Sequence, residues 1–155
     1  MIKEYESSLK WQDIKDSPPM SVEIETISTC NRKCDYCPVS KLAGRKTKLP
    51  EDIFFSLIDN LFEMGFIGQI GTAMLCEPLL DSRTIKLFAY VRKVMPYVKT
   101  HLVTNGDLLT YDKCKELLDN SFTSIRITEH DDEYDKYDEI AAFVNDYPQS
   151  LLSQR

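Results

Sequence analysis

No run of apolar residues in this sequence is long enough to cross a bilayer, so a membrane-spanning helix is not expected. A secretory leader is not expected either, because the first nineteen residues interleave Lys3, Glu4, Glu6, Lys10, Asp13, Lys15 and Asp16 with few apolar positions. Histidine is scarce: His101 and His130 are the only two, and neither is near a cysteine in sequence. Positive charge is in deficit, with 19 Lys and Arg against 25 Asp and Glu and a net charge of -6, which argues against a nucleic-acid binder. The five cysteines are an odd number with three in one short loop, which excludes a secreted disulfide scaffold and fits a reducing cytoplasm. What remains is a chain of 155 residues, 43% apolar and 10% aromatic, enough for one domain with a real core.

The most informative stretch is Cys30-Asn31-Arg32-Lys33-Cys34-Asp35-Tyr36-Cys37, three thiols at spacing C-x3-C-x2-C. Cysteine is a strong ligand only as thiolate, and a bound cation is what stabilises that form at neutral pH. Three thiols on one loop are therefore read as gathered by a metal. A structural zinc takes four protein ligands, and no fourth Cys or His lies nearby. An iron–sulfur cubane held by three thiolates would leave one iron open. Zinc or another metal, and free or disulfide-forming thiols, stay as alternatives.

The chain around this loop reads as strand and helix in alternation. Residues 1 to 20 form a polar N-terminal extension anchored by Trp11 and closed by Pro18-Pro19. Val22 to Ile27 alternates, with Val22, Ile24 and Thr26 on one face and Glu23, Glu25 and Ile27 on the other. Two carboxylates on a parallel strand make sense if one face lines a polar barrel lumen. Pro50 is expected in the first turn of a helix, Phe54, Leu57, Ile58, Leu61 and Phe62 on its apolar stripe, and Gly65 at its C-terminal cap. A second strand is expected over Gln69 to Leu75, and a helix from Ser82 to Val94 with Ile85, Phe88, Ala89 and Val91 or Arg92 inward. Val98 to Thr104 is a third strand, followed by a helix capped by Thr110 and running through Asn120. Ser124 to Thr128 is a fourth strand, and Asp135 to Val144 a fourth helix carrying Ile140, Phe143 and Val144.

This is four strand–helix units at a period of roughly 25 to 30 residues, which calls for a parallel sheet with right-handed crossovers. In such sheets functional groups collect at the carboxyl ends of strands. The cysteines, Glu77, Asn105 and Thr128 all fall there. Charge is also segregated: residues 32 to 48 carry Arg32, Lys33, Lys41, Arg45, Lys46 and Lys48 against Asp35, and residues 129 to 139 are acidic around His130. The basic loop is read either as a solvated surface or as steering for an anionic substrate or redox partner. Cys114, beside Leu117 and Leu118 on one helix face, reads as core.

The cysteine loop, with aromatic Tyr36 before its last thiol, resembles the cluster motif of the radical S-adenosylmethionine (radical SAM) enzymes. Ordered matches extend the resemblance over about residues 20 to 147. Leu75-Cys76-Glu77-Pro78-Leu79-Leu80-Asp81 resembles the family's Gly-Gly-Glu-Pro segment, with both glycines replaced, and Thr104-Asn105-Gly106 with Leu108-Leu109-Thr110 resembles the third-strand ending of its SPASM-like, peptide-modifying branch. The resemblance implies a 4Fe-4S cluster on Cys30, Cys34 and Cys37. It implies S-adenosyl-L-methionine held at Cys76, Glu77, Asn105, Arg126 and Thr128, with Glu77 receiving the amino group and Arg126 or Thr128 the carboxylate or ribose.

The implied fold is α/β, a partial (β/α) TIM-like barrel with about four of the six βα units of a radical SAM core, spanning residues 21 to 155 and apparently only the N-terminal part of that core. The implied function is reductive cleavage of S-adenosylmethionine to a 5′-deoxyadenosyl radical for hydrogen abstraction, with peptide or protein modification as the expected outcome and tRNA modification as the alternative. A flavodoxin or ferredoxin is the expected electron donor. An oligomer or second subunit is expected to cover the open edge after the fourth strand. A non-catalytic cluster-binding fragment needing a partner, and a zinc-binding interaction domain, are the other functional classes the residues allow.

Overall fold

The structure, a computed structural model, describes residues 18–38, 47–72, 75–128, 138–147 and 151–154. Most of the N-terminal extension with Trp11, the basic residues Lys41, Arg45 and Lys46, and the acidic stretch around His130 lie outside these residues. Within them the order is β1 (Ser21–Glu23), α1 (Glu51–Glu63), β2 (Gln69–Thr72), a 3-10 turn (Pro78–Leu80), α2 (Thr84–Val94), β3 (Lys99–Thr104), α3 (Tyr111–Asn120), β4 (Ser124–Ile127), α4 (Asp138–Asp146) and β5 (Leu151–Gln154). Every neighbouring pair is parallel, and the sheet order is the chain order, β1-β2-β3-β4-β5. This is the α/β parallel sheet with alternating helices that the strand–helix period calls for.

The strand register sorts side chains onto two faces. Val22, Ile70, Thr100 and the Leu102–Ile125 pair stand on the helix side, where Ile70, Leu102 and Ile125 join Phe54, Phe88 and Phe122 in the core. Phe88 is the hub of this layer, with ring centroids 5.8 Å from Phe54 and 4.6 Å from Phe122. The opposite row reads Glu23, Gly71, His101 and Ser124, a polar face as the alternation of β1 implied. His101 Nε2 lies 2.8 Å from Glu23 Oε1, reaching over β2. It does so only because Gly71 lies between them, since a Cβ there would overlap the imidazole ring.

Helix boundaries follow local chemistry. Pro50 is the residue before α1 rather than its first helical residue: its ψ of 142° is extended, and its carbonyl already accepts from Phe54 at 3.1 Å. Gly65, at φ 71°, ends the same helix as expected, with Phe66 N–H returning to the Leu61 carbonyl at 3.0 Å. Thr110 caps α3 by accepting from Lys113 N–H at 3.2 Å. The inner face of α2 is Thr84, Leu87, Phe88 and Val91 rather than one centred on Ile85 and Ala89. Arg92 is not core; its guanidinium donates to the Leu118 and Asp119 carbonyls at the end of α3. Cys114 is fully buried, as its helix face implied.

Two features differ from the sequence expectation. Strand β1 ends at Glu23, because the chain beyond it zips to the far arm of the cysteine loop. Ser28 N–H donates to the Thr47 carbonyl and Leu49 N–H to the Thr26 carbonyl, with Ile27 and Lys48 in an antiparallel bridge. The cysteine loop is therefore closed at its neck. In addition, the edge expected to be open after the fourth strand is occupied by β5, whose Leu151–Gln154 pairs along Ser124–Ile127. Among the described residues the sheet edges are β1 and β5.

Candidate functional site

The carboxyl ends of β1, β2 and β3 meet at one rim. Beyond β1, Cys30, Cys34 and Cys37 sit half-buried on one loop, none of them in a disulfide, with Cys37 N–H turned back onto the Cys34 carbonyl at 3.0 Å. The next strand end is fastened to this loop, since Glu77 N–H donates to the Thr29 carbonyl at 2.9 Å. Glu25, at the end of the β1 segment, accepts from Leu75 N–H at 2.6 Å.

Glu77 is buried, at 1% exposure. Its Oε1 accepts from the Thr104 hydroxyl at 2.7 Å and from Leu79 N–H at 3.1 Å, and its Oε2 from Asn105 N–H at 2.9 Å. Burial pushes its carboxyl above the ordinary range, and these three hydrogen bonds only partly pull it back. Asn105 in turn donates through Nδ2 to Asn31 Oδ1 at 2.9 Å, and the same amide stands 3.9 Å from Cys30 Sγ. The structure thus brings the three cysteines, Glu77 and Asn105 together.

Cys76 is half-buried beside them, its thiol pushed up to about 12 by burial and then by the negative charges of Glu25 and Glu77. Such a thiol stays protonated and is a poor nucleophile. Thr128 lies on the same rim, its N–H donating to the Thr104 carbonyl at 2.9 Å. Arg126 is on β4, paired in register with Val103 and Ser153, on the polar face of the sheet.

Residues 24–145 match the Radical SAM superfamily. The chain belongs to this family. An S-adenosyl-L-methionine-dependent 2-deoxy-scyllo-inosamine dehydrogenase from Niallia circulans is 28% identical over 110 residues, 70% of this chain and 44% of that protein. The chain thus spans less than half the length of this curated radical SAM relative. Its fold is shared with BtrN in complex with AdoMet and 2-DOIA, at TM-score 0.76 and 24% identity, over 90% of this chain and 58% of that one. It is shared also with anSMEcpe with bound AdoMet, at TM-score 0.65 and 19% identity, over 88% of this chain and 43% of that one.

Membership in the radical SAM family implies a 4Fe-4S cluster and S-adenosylmethionine, and the donor set fits them. Cys30, Cys34 and Cys37 offer three thiols on one loop, and a cubane takes each thiolate on its own iron and leaves the fourth iron open. Burial raises the pKa of the Cys30 thiol; the Arg32 N–H at 3.4 Å lowers it, and charge at Glu77, Cys34 and Cys37 raises it further. A bound cation reverses that preference and holds the thiolate.

Two ion pairs of this site lay outside the sequence reading. Asp81 and Arg83, just after Glu77-Pro78, form a bidentate pair at 2.9 and 2.8 Å, and Arg83 also donates to the Leu49 and Thr26 carbonyls at the loop neck. Asp107, just past Asn105-Gly106, pairs with Arg32. An acid and a base two residues apart signal the first pair, but nothing in sequence links Arg32 to an acid 75 residues away.

No helix among the described residues is long and apolar enough to cross a membrane.

Proposed function

We propose that this chain is the cluster- and cofactor-binding part of a radical SAM enzyme that abstracts a hydrogen atom from its substrate. One observation carries the reading: the loop of three cysteines, the buried Glu77 and Asn105 are joined at one rim of the sheet. The bound cluster and S-adenosylmethionine supply reductive cleavage of the sulfonium to a 5′-deoxyadenosyl radical, chemistry that belongs to the cofactors. The chain's own part is to bind, orient and exclude water.

Glu77 is suited to an ammonium. A carboxylate has about four acceptor sites, and three are taken by Thr104, Leu79 and Asn105, leaving one on Oε2. A cation there would offset the burial that now disfavours the charged form. Arg126 and Thr128 are assigned to the cofactor's carboxylate or ribose, and Cys76 to close backbone approach through its carbonyl.

For the substrate, peptide or protein modification is the reading favoured by Thr104-Asn105-Gly106 and Leu108-Leu109-Thr110. Oxidation of a small hydroxylated amine, the activity named for the Niallia circulans relative, is the second reading. It is favoured by the Glu23–His101 pair on the polar face, which offers hydrogen bonds to hydroxyl or amino groups. A flavodoxin or ferredoxin is assigned as electron donor, its negative charge complementing the basic residues around the cysteine loop. A second subunit or second copy is assigned to the sheet edge, which now lies beyond β5.

The test is anaerobic reconstitution followed by iron and sulfide analysis, electron paramagnetic resonance, and assay of 5′-deoxyadenosine after reduction with S-adenosylmethionine present. A cubane signal with 5′-deoxyadenosine is expected. A cubane without cofactor cleavage would leave a non-catalytic cluster protein, and zinc without sulfide would overturn the reading.

A further inference from the structure

The segment between the first two cysteines is tied to a loop that the sequence leaves unconnected to it. Asp107 accepts from Arg32 Nε at 2.7 Å and Arg32 Nη2 at 2.6 Å, and from Asn31 Nδ2 at 2.8 Å. The fork is bidentate, the strong and directional form of the ion pair. The two charged side chains are 14% and 15% exposed, so water competes with them far less than at an open surface.

Asp107 is itself held rigidly. Its N–H donates to Asn105 Oδ1 at 3.0 Å across Gly106, whose φ of 80° lets the chain turn there. Gly106 N–H reaches the Thr104 hydroxyl at 3.2 Å, and that hydroxyl donates to Glu77. A continuous relay therefore runs from the Cys30–Cys34 interval through Asp107 and Asn105 to Glu77.

We propose that Asp107 is a positioning residue for the cysteine loop: through Arg32 and Asn31 it clamps the Cys30–Cys34 segment to the end of β3 and holds the first thiols in fixed geometry relative to Glu77. The proposal rests on reading these thiols as cluster ligands, but the clamp exists in the polypeptide alone and is testable there.

The test is alkylation of the full chain, cluster-free and reduced, with iodoacetamide, followed cysteine by cysteine by mass spectrometry. Cys114, buried in the core, reports global opening in the same sample. Asp107→Asn removes the charge-assisted bonds, and Cys30 and Cys34 should react about tenfold faster or more while Cys114 does not change. Arg32→Gln approaches the clamp from the other side and should do the same, Arg32→Lys should fall between, and Arg32→Gln with Asp107→Asn should be no faster than either alone.

Rates at Cys30 and Cys34 that stay within about twofold of wild type, or that rise only in step with Cys114, would overturn the clamp. After anaerobic reconstitution, Asp107→Asn should lose iron to a chelator faster than wild type. A wild-type chain that takes up no iron and sulfide would sink the cluster reading, while the alkylation result would still decide the role of Asp107.

Discussion

Replacing Arg83 by methionine keeps a long apolar stem and deletes the guanidinium that faces Asp81. The Asp81 side chain is 0% exposed, so the variant leaves a buried carboxylate that keeps the backbone N–H of position 83 at 3.1 Å, the Lys48 ammonium at 3.9 Å and the Thr26 side chain but has lost the guanidinium. Breaking a buried pair from one side costs about 3–5 kcal/mol. Arg83 itself is 20% exposed, which places the expected loss near the lower end, at about 3 kcal/mol. The pH dependence has a definite sign. Burial alone would raise the Asp81 pKa, but hydrogen bonds from Arg83 outweigh it and hold the carboxyl below its ordinary value of 3.8. A depressed folded pKa contributes stability above the unfolded value and loses it as pH falls through the folded one. In Arg83→Met the guanidinium donors are gone and the folded pKa moves up, so the gap to wild type is widest at neutral pH and narrows below about pH 4. Urea denaturation at a series of pH values measures both. A variant within about 1 kcal/mol of wild type at neutral pH, or a gap that stays constant into acid, would refute the reasoning. Adding Asp81→Asn should recover part of the loss, because no buried charge is then stranded.

Glu77→Gln tests the opposite case. The folded pKa of Glu77 is raised, so its contribution is full below the unfolded value of 4.5 and is lost as pH rises through the folded one. Urea denaturation from about pH 4 to about pH 7 should show the balance between wild type and Glu77→Gln shifting toward the glutamine variant. Gly68→Ala should cost about 1–3 kcal/mol, because the new methyl meets the Met20 backbone carbonyl, whereas Gly71→Ala meets only the His101 ring and should cost about 1 kcal/mol or less. Equal melting temperatures for the two alanine variants would contradict this. Phe88→Ala, which opens the stack between Phe54 and Phe122, should cost about 3–5 kcal/mol by the same denaturation assay.

Periodicity located all four helices and the first four strands, because their apolar spacing and capping residues act locally. Strand β5 escaped it: four residues, Leu151–Gln154, are too few to show an alternation, and what holds them is pairing with β4. The early end of β1 escaped for a related reason, since its continuation is diverted by hydrogen bonds to Thr47 and Leu49 across the cysteine loop. At the candidate site, the placement of the thiols and Glu77 at strand ends on one rim was legible, because it follows from the strand–helix order. The side chains that hold them were not. Arg32 finds Asp107, and Arg83 finds the loop neck, across 75 and 57 residues, and no local rule reaches that far.

A sheet whose spatial order equals its chain order has consequences for how the molecule is made. Each strand pairs with the strand synthesised just before it, so the layer can grow one unit at a time from the ribosome. The thiols emerge early in that sequence of events. Glu77 follows, and Asp107 comes last, 77 positions after the first cysteine. Capture of iron by a finished geometry must therefore wait until the third strand has docked.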